Sequence, residues 1–139
     1  MSIPAAKVVL LVDDSPTVRR MLEWSLKPTG LKTLQAADGL QALEILRVEA
    51  VDLAIVDLNM PRMDGIELIR SIRGDERLRE LPIILLTTEN RDEDRQAALD
   101  AGANLFLTKP SVPALLRDKA QSFLGVAAAA PAEPRKLQP

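Results

Sequence analysis

Three short segments made only of apolar residues constrain the fold of this chain more than any other feature. They lie at residues 9–11, 54–56 and 83–86. A strand with one face in water alternates apolar and polar residues, whereas a strand covered on both faces is apolar throughout. These segments therefore predict the central strands of a parallel sheet that carries helices on both faces.

Strand-like and helix-like patterns alternate along the chain. Strands are predicted at Val8–Val12, Lys32–Ala36, 52–57, 82–87 and 104–108. Helices are predicted from the cap-and-proline pair Ser15-Pro16 onward and near 39–49, 64–73, 91–101 and 112–123. Strand followed by helix five times predicts an α/β fold with a doubly wound five-stranded parallel sheet. We expect a lead-in at 1–7, one domain at 8–124 and a flexible Ala/Pro-rich tail at 125–139.

Composition excludes several classes of site. The 139 residues include no Cys and no His, which excludes disulfides, thiolate or imidazole metal ligands and a Ser-His triad. The net charge of −2 predicts no nucleic-acid partner, and the Arg residues within 62–79 alternate with acidic residues as on a solvated helix face. No apolar run could span a membrane, and residues 1–7 lack a signal-peptide core. We therefore expect a cytoplasmic protein without membrane contacts.

Two helices have readable apolar faces. The first helix is predicted to bury a stripe formed by Val18, Met21, Leu22, Ser25 and Leu26. The last helix is predicted to bury a stripe formed by Val112, Leu115, Leu116, Lys119 and Phe123. Trp24 lies off the first stripe. A half-buried helix residue is the favoured interpretation for Trp24, and a partner contact is the alternative.

Polar side chains cluster where the predicted strands end. Asp13-Asp14 end the first strand, Asp57 the third, Thr87-Thr88 the fourth, and Thr108-Lys109-Pro110 the fifth. Ligands of open α/β sheets bind outside the carboxyl ends of the strands, where the strand order reverses. With the order 2-1-3-4-5, the first and third strands flank that reversal, so the three carboxylates should meet there.

Such a cluster suits one kind of chemistry. Neighbouring carboxylates repel one another unless a cation joins them, and oxygen ligands select Mg²⁺, Mn²⁺ or Ca²⁺. Mg²⁺ leaves coordination positions for phosphate oxygens. Asp57 would then be the nucleophile of a phosphoryl transfer, with Lys109 and the Thr87 hydroxyl stabilising the transferred group. Each residue alone has a purely structural explanation, such as a helix cap or a surface lysine, and the hypothesis depends on their joint placement.

Five motifs carry a family resemblance. They are residues 11–15 (Leu-Val-Asp-Asp-Ser), 55–61 (Ile-Val-Asp-Leu-Asn-Met-Pro), 63–65 (Met-Asp-Gly), 86–88 (Leu-Thr-Thr) and 109–110 (Lys-Pro). In this order and spacing the chain closely resembles the receiver domains of bacterial two-component response regulators, with the CheY-like single-domain members nearest in length. The resemblance covers about residues 8–124 and implies a flavodoxin-like fold.

The resemblance also implies residue roles. Asp57 would accept a phosphoryl group from the phosphohistidine of a sensor histidine kinase. Asp14, Asp57 and the backbone carbonyl of Asn59 would bind Mg²⁺ directly, and Asp13 through water. Lys109 would pair with the phosphoryl group. The chain would then be a phosphoacceptor, capable only of self-catalysed phosphoryl transfer and autodephosphorylation.

A second set of implied roles concerns signalling. Thr87 and Phe106 would be the switch pair, and a downstream protein target would bind the face formed by the fourth helix, fifth strand and fifth helix. The ring of Phe106 is expected to pass from an exposed to a buried position. The bond between Lys109 and Pro110 is expected to be cis. Motor-binding chemotaxis members commonly have Tyr at the aromatic position, whereas this chain contains no Tyr.

Two alternatives remain at this point. Phosphatases of the haloacid-dehalogenase type also combine a nucleophilic Asp, a hydroxyl, a Lys and Mg²⁺. Their nucleophile lies at the first strand, however, and Asn59 cannot replace the general acid that turnover needs. The other alternative is the receiver of a longer regulator, with the tail as the start of a linker. A stand-alone switch in a two-component pathway is preferred, and chemotaxis is one such pathway.

Overall fold

A computed structural model describes residues 6–60, 62–88, 91–109 and 113–125. Within these residues the strands are β1 Val8–Val12, β2 Lys32–Ala36, β3 Leu53–Val56, β4 Ile83–Thr87 and β5 Leu105–Thr108. The helices are α1 Pro16–Leu26, α2 Gly39–Val48, α3 Gly65–Arg73, α4 Asp92–Ala101 and α5 Pro113–Leu124, with a 3₁₀ turn at Lys27–Thr29. The five-fold alternation predicted from the sequence is therefore confirmed.

The five strands form one parallel sheet with the order β2-β1-β3-β4-β5. β1 lies between β2 and β3, with Val12 opposite both Ala36 and Val56. The strand order reverses at β1, so a crevice opens beyond the carboxyl ends of β1 and β3. This is the predicted fold class.

Three strands are shorter than their sequence patterns. The third was predicted at 52–57 and spans Leu53–Val56. Asp52 instead accepts a hydrogen bond from the Val8 amide through its carboxylate at 2.8 Å. At the other end, the Asp57 amide donates to the Val12 carbonyl at 2.9 Å, which leaves the Asp57 side chain just beyond the paired strand.

The core has two layers, one on each face of the sheet. Alternate residues of β1 point to opposite faces, so Leu10 and Val12 join one cluster and Val9 and Leu11 the other. α2, α3 and α4 cover the first cluster, and α1 and α5 cover the second. Each fully buried Leu or Ile contributes about 1.5–3 kcal/mol. Both clusters consist of apolar side chains, and the polar residues at the sheet edge lie outside them.

The apolar face of α1 is narrower than predicted. Leu22 and Leu26 are buried, but Met21 is 58 % exposed, and Ser25 donates its hydroxyl to the Met21 carbonyl. Trp24 is 77 % exposed, so the prediction of a half-buried Trp24 is wrong. The helix packs its other side on the sheet, and Trp24 belongs to neither core cluster.

The stripe on α5 also differs from its prediction. Val112 lies outside the described residues. Leu116 and Ala120 are the buried positions of the helix, whereas Leu115 is 40 % exposed. The stripe therefore runs through Ala120 and not through Lys119. None of the helices in the described part of the chain is both long and apolar enough to cross a bilayer.

Candidate functional site

Three carboxylates lie together at the carboxyl edge of the sheet. Asp13 and Asp14 follow β1, and Asp57 follows β3, the neighbouring strand. One carboxylate oxygen from each lies within 4.8 Å of the others. Asp13 and Asp57 are buried, while Asp14 is exposed. The structure thus brings together the three acidic residues singled out from the sequence, with one side of the cluster open to solvent.

Lys109 completes the cluster from the end of β5. Its Nζ lies 2.7 Å from an Asp13 oxygen and 3.2 Å from an Asp57 oxygen, and its side chain is only 16 % exposed. Its amide donates to the Thr87 carbonyl at 2.7 Å, which fixes where the side chain enters the crevice. The surface-lysine interpretation does not apply to this residue.

Burial and repulsion both act on Asp57. Burial of its carboxyl group, together with the negative charges of Asp13 and Asp14, raises the pKa of Asp57 from 3.8 to about 6. The Lys109 ammonium opposes this rise without cancelling it. A carboxylate held in this way gains stability from any further cation or cationic group beside it.

The pKa of Lys109 is raised as well, and for an ammonium group this favours the charged form. Burial alone would lower the pKa of Lys109, but the hydrogen bond to Asp13 and the charge of Asp57 outweigh burial and raise it. Lys109 is therefore a permanent cation at neutral pH. It can stabilise negative charge beside Asp57, and it has no proton to lose in that range.

Asp13 has a structural role as well. Its Oδ1 accepts the Ser15 amide at 2.9 Å, and Ser15 caps α1 by accepting the Val18 amide at 3.2 Å. The guanidinium of Arg19 donates to the Asp13 carbonyl at 2.5 Å. The helix-cap interpretation of the acidic pair thus describes part of what Asp13 does, while its second oxygen faces Lys109.

The predicted switch pair lies on adjacent strands. Thr87 is fully buried at the end of β4, and Phe106 lies opposite Leu85 on β5 with only 5 % of its surface exposed. The prediction that the ring of Phe106 is exposed before it moves inward is therefore wrong for this structure. The guanidinium of Arg95 on α4 covers the ring, 4.8 Å from its centroid, a contact that no sequence pattern indicated.

A short loop between β3 and α3 carries Asn59. Leu58 and Met60 on either side are buried, so Asn59 is exposed between two anchored residues. The loop returns tightly, because the Gly65 amide donates to the Leu58 carbonyl at 2.8 Å. A Cβ at Gly65 would lie 2.5 Å from the Asp57 carbonyl oxygen, so no other residue fits there without displacing the loop. Pro61 and Pro110, and with them the expected cis bond, lie outside the described residues.

The donor set fits a hard divalent cation. It consists of carboxylate oxygens from Asp13, Asp14 and Asp57, and no nitrogen or sulfur donor belongs to it. A cation would offset the repulsion that raises the pKa of Asp57. Mg²⁺ suits such a site because one or two carboxylates suffice to hold it.

Comparisons with known proteins agree with this geometry. The response regulator receiver domain family matches residues 9–121. The chemotaxis protein CheY1 of Helicobacter pylori is 40 % identical over 119 residues, which cover 84 % of this chain and 96 % of that protein.

Solved structures give the same result. Chemotaxis protein CheY4 of Vibrio cholerae has a TM-score of 0.82 and 37 % identity, covering 86 % of this chain and 100 % of that one. The phosphorylated cyanobacterial phytochrome response regulator RcpA has a TM-score of 0.79 and 25 % identity, covering 89 % and 98 %.

The fold and the acidic crevice are those of a signalling receiver domain, and the chain belongs to the response regulator receiver family. Receiver domains of this family act in two-component signalling and bind Mg²⁺ at an acidic pocket. Among its members, this chain is a CheY-like response regulator, as its sequence and structural relatives show. The resemblance inferred from the five motifs is thereby confirmed.

Proposed function

We propose that this protein is a phosphorylation-dependent signalling switch whose phosphoacceptor is Asp57. The observation that carries the proposal is the position of the Asp57 carboxylate, which lies 3.2 Å from the Lys109 ammonium and close to two further carboxylates. The crevice is open on the side of the exposed Asp14, so a phosphodonor can approach. RcpA, a structural relative, is known in a phosphorylated state.

Four groups would hold the metal. Asp14, Asp57 and the Asn59 backbone carbonyl would bind Mg²⁺ directly, and Asp13 through water. When bound, Mg²⁺ supplies positive charge to the oxygens of the transferred phosphoryl group. Asp13 is already engaged by Lys109 and the Ser15 amide, which agrees with an indirect role.

The residues of this chain perform the transfer as follows. The deprotonated Asp57 oxygen attacks the phosphorus of a phosphohistidine on a sensor histidine kinase. An oxygen–phosphorus bond forms, the nitrogen–phosphorus bond breaks, and the imidazole keeps the electron pair and later takes a proton. Lys109 stabilises the charge on the phosphoryl oxygens throughout, because it remains protonated.

The signal is proposed to leave through α4, β5 and α5. Thr87 directly precedes the α4 region, and Phe106 beside it carries Arg95 of α4 on its ring. A hydroxyl of Thr87 drawn toward the phosphoryl group would alter the packing of the Phe106 ring. Because that ring is already buried, the change would reach the surface through Arg95 and α4, and a downstream protein would bind there.

A chemotactic pathway is the proposed setting. The supporting observation is that CheY1 of Helicobacter pylori and CheY4 of Vibrio cholerae are chemotaxis proteins. Phe106 provides packing but no hydroxyl, so a target that requires a phenolic hydrogen bond at this position would not be recognised.

Labelling with acetyl phosphate and Mg²⁺ tests the proposal. The wild-type chain should gain one acid-labile phosphoryl group, Asp57→Asn none, and Asp118→Asn, which removes an exposed carboxylate elsewhere, one. Equal labelling of Asp57→Asn and the wild type would remove the assignment. Continuous release of many equivalents of phosphate per chain would favour a phosphatase instead.

A further inference from the structure

The loop between β3 and α3 contains an unusual backbone conformation. Arg62 has a φ of 69°, and it is the one non-glycine residue with positive φ in the described part of the chain. This left-handed conformation is unfavourable for a non-glycine residue, because its Cβ crowds the following carbonyl oxygen, whereas glycine has no Cβ. The backbone of Arg62 is therefore strained where that of glycine would not be. A reason for arginine at this position must lie in its side chain, which glycine lacks.

The side chain of Arg62 reaches a different element. Its guanidinium forms an ion pair with Asp38, at the start of α2, whose own side chain is only 8 % exposed. Asp38 also caps α2 by accepting the Gln41 amide at 2.8 Å. The Gln41 amide and then Arg62 hold the pKa of Asp38 below its usual value, so the ion pair persists throughout the neutral range.

A second contact joins the same two segments. The Met63 side chain packs directly over Gly39, the residue after Asp38, and a Cβ there would lie 2.8 Å from Met63. Two consecutive residues of the loop thus contact two consecutive residues at the start of α2. The two loop residues that make these contacts, Arg62 and Met63, follow Asn59 closely in the sequence.

We propose that Arg62 is a positioning residue for the metal site. With Asp38 it holds the described loop residues, 58–60 and 62–64, against α2, and this fixes the Asn59 carbonyl toward the carboxylate cluster. Leu58 and Met60 anchor the loop in the core, and Gly65 closes it. The Arg62–Asp38 pair ties the remaining free side to a neighbouring element. This inference rests on the proposed Mg²⁺ site.

The Mg²⁺ affinity of two variants distinguishes a positioning role of Arg62 and Asp38 from an effect of their charges alone. If Arg62 and Asp38 acted only through long-range charge, Arg62→Gly would tighten Mg²⁺ binding and Asp38→Asn would weaken it. Positioning predicts that both changes weaken it, by about threefold to fivefold. Asn still caps a helix, so Asp38→Asn removes the ion pair and keeps α2 intact. The double variant should bind no more weakly than Arg62→Gly alone.

Calorimetric titration with MgCl₂ makes the measurement, with Arg77→Gln as the control for loss of one distant surface cation. Arg62→Lys should recover part of the affinity. Arg62→Gly removes the backbone strain, which stabilises the fold, and the ion pair, whose loss destabilises it. The melting temperature of this variant should therefore stay close to that of the wild type while its Mg²⁺ affinity falls. Tighter Mg²⁺ binding by Arg62→Gly, or an unchanged affinity, would overturn the proposal.

A readout without metal keeps this inference distinct from the proposed function. In EDTA, Arg62→Gly and Asp38→Asn should both shift or broaden the amide resonances of residues 58–60. If those resonances are unchanged in both variants, the positioning role is excluded even when the wild type binds Mg²⁺ and is phosphorylated. If the wild type binds no Mg²⁺, the proposed metal site fails first, and the role of Arg62 toward it fails with it.

Discussion

The guanidinium carbon of Arg95 lies 4.8 Å from the centroid of the Phe106 ring, so an exposed cation on α4 covers a buried aromatic residue on β5. Cation–π contacts at exposed sites contribute about 0.5–1 kcal/mol. This is enough to favour one ring position over another by severalfold without fixing it. Arg95 therefore joins Thr87 and Phe106 in the part of the molecule proposed to transmit the signal.

Loss of the Arg95 cation should loosen the Phe106 ring. In Arg95→Gln we expect the aromatic resonances of Phe106 to broaden or to split into two sets, because a second ring position becomes populated. The chain has only two Phe residues, so Phe123 provides an internal reference in the same spectrum. Unchanged Phe106 resonances would show that the surrounding core alone holds the ring.

Mg²⁺ should raise the melting temperature of the wild-type chain. Asp13, Asp14 and Asp57 repel one another in the folded protein, and a cation bound only by the folded state stabilises it further. Calorimetry with MgCl₂ and with EDTA measures the effect. Asp57→Asn should show a much smaller increase, and a lower melting temperature with Mg²⁺ would contradict the like-charge argument.

The pKa of Asp57 predicts a stability that falls with rising pH. The folded pKa of about 6 lies above the unfolded value of 3.8, so between these values the folded state binds the proton more tightly. Stability is therefore lost as the pH rises through this range and then stays constant. In EDTA, Asp57→Asn should match the wild type near pH 4 and exceed it above the folded pKa, by about 2–8 °C in melting temperature.

Arg73 should matter for stability far more than a solvated helix residue would. Its guanidinium donates to the Leu81 carbonyl at 2.7 Å, to the Gly102 carbonyl at 2.8 and 3.0 Å, and to the Asn104 side chain at 2.9 Å. The interpretation of residues 62–79 as a solvated face is wrong at this position. Arg73→Met leaves these carbonyls without a donor and should cost about 1–3 kcal/mol in urea unfolding. Arg77→Met, on an exposed pair, should cost little.

The central strands and the residues at their ends could be predicted from the sequence because both are local properties. An apolar run such as residues 83–86 reports burial on both faces, and the next polar residue then lies at the sheet edge. Once the strand order is known, the strand ends place Asp13, Asp57 and Lys109 at the same edge of the sheet. Strand ends were less predictable, because pairing at Asp52 depends on the Val8 amide, 44 residues away.

The tertiary structure alone decided how individual side chains are used. Trp24 is exposed because the opposite side of α1 meets the sheet, and Phe106 is buried because Arg95 and the core close over it. The Arg62–Asp38 pair joins residues 24 positions apart through a left-handed turn. Periodicity in the sequence says which face of an element is apolar. The contacts between elements, which no local pattern contains, determine what covers that face and which charges meet.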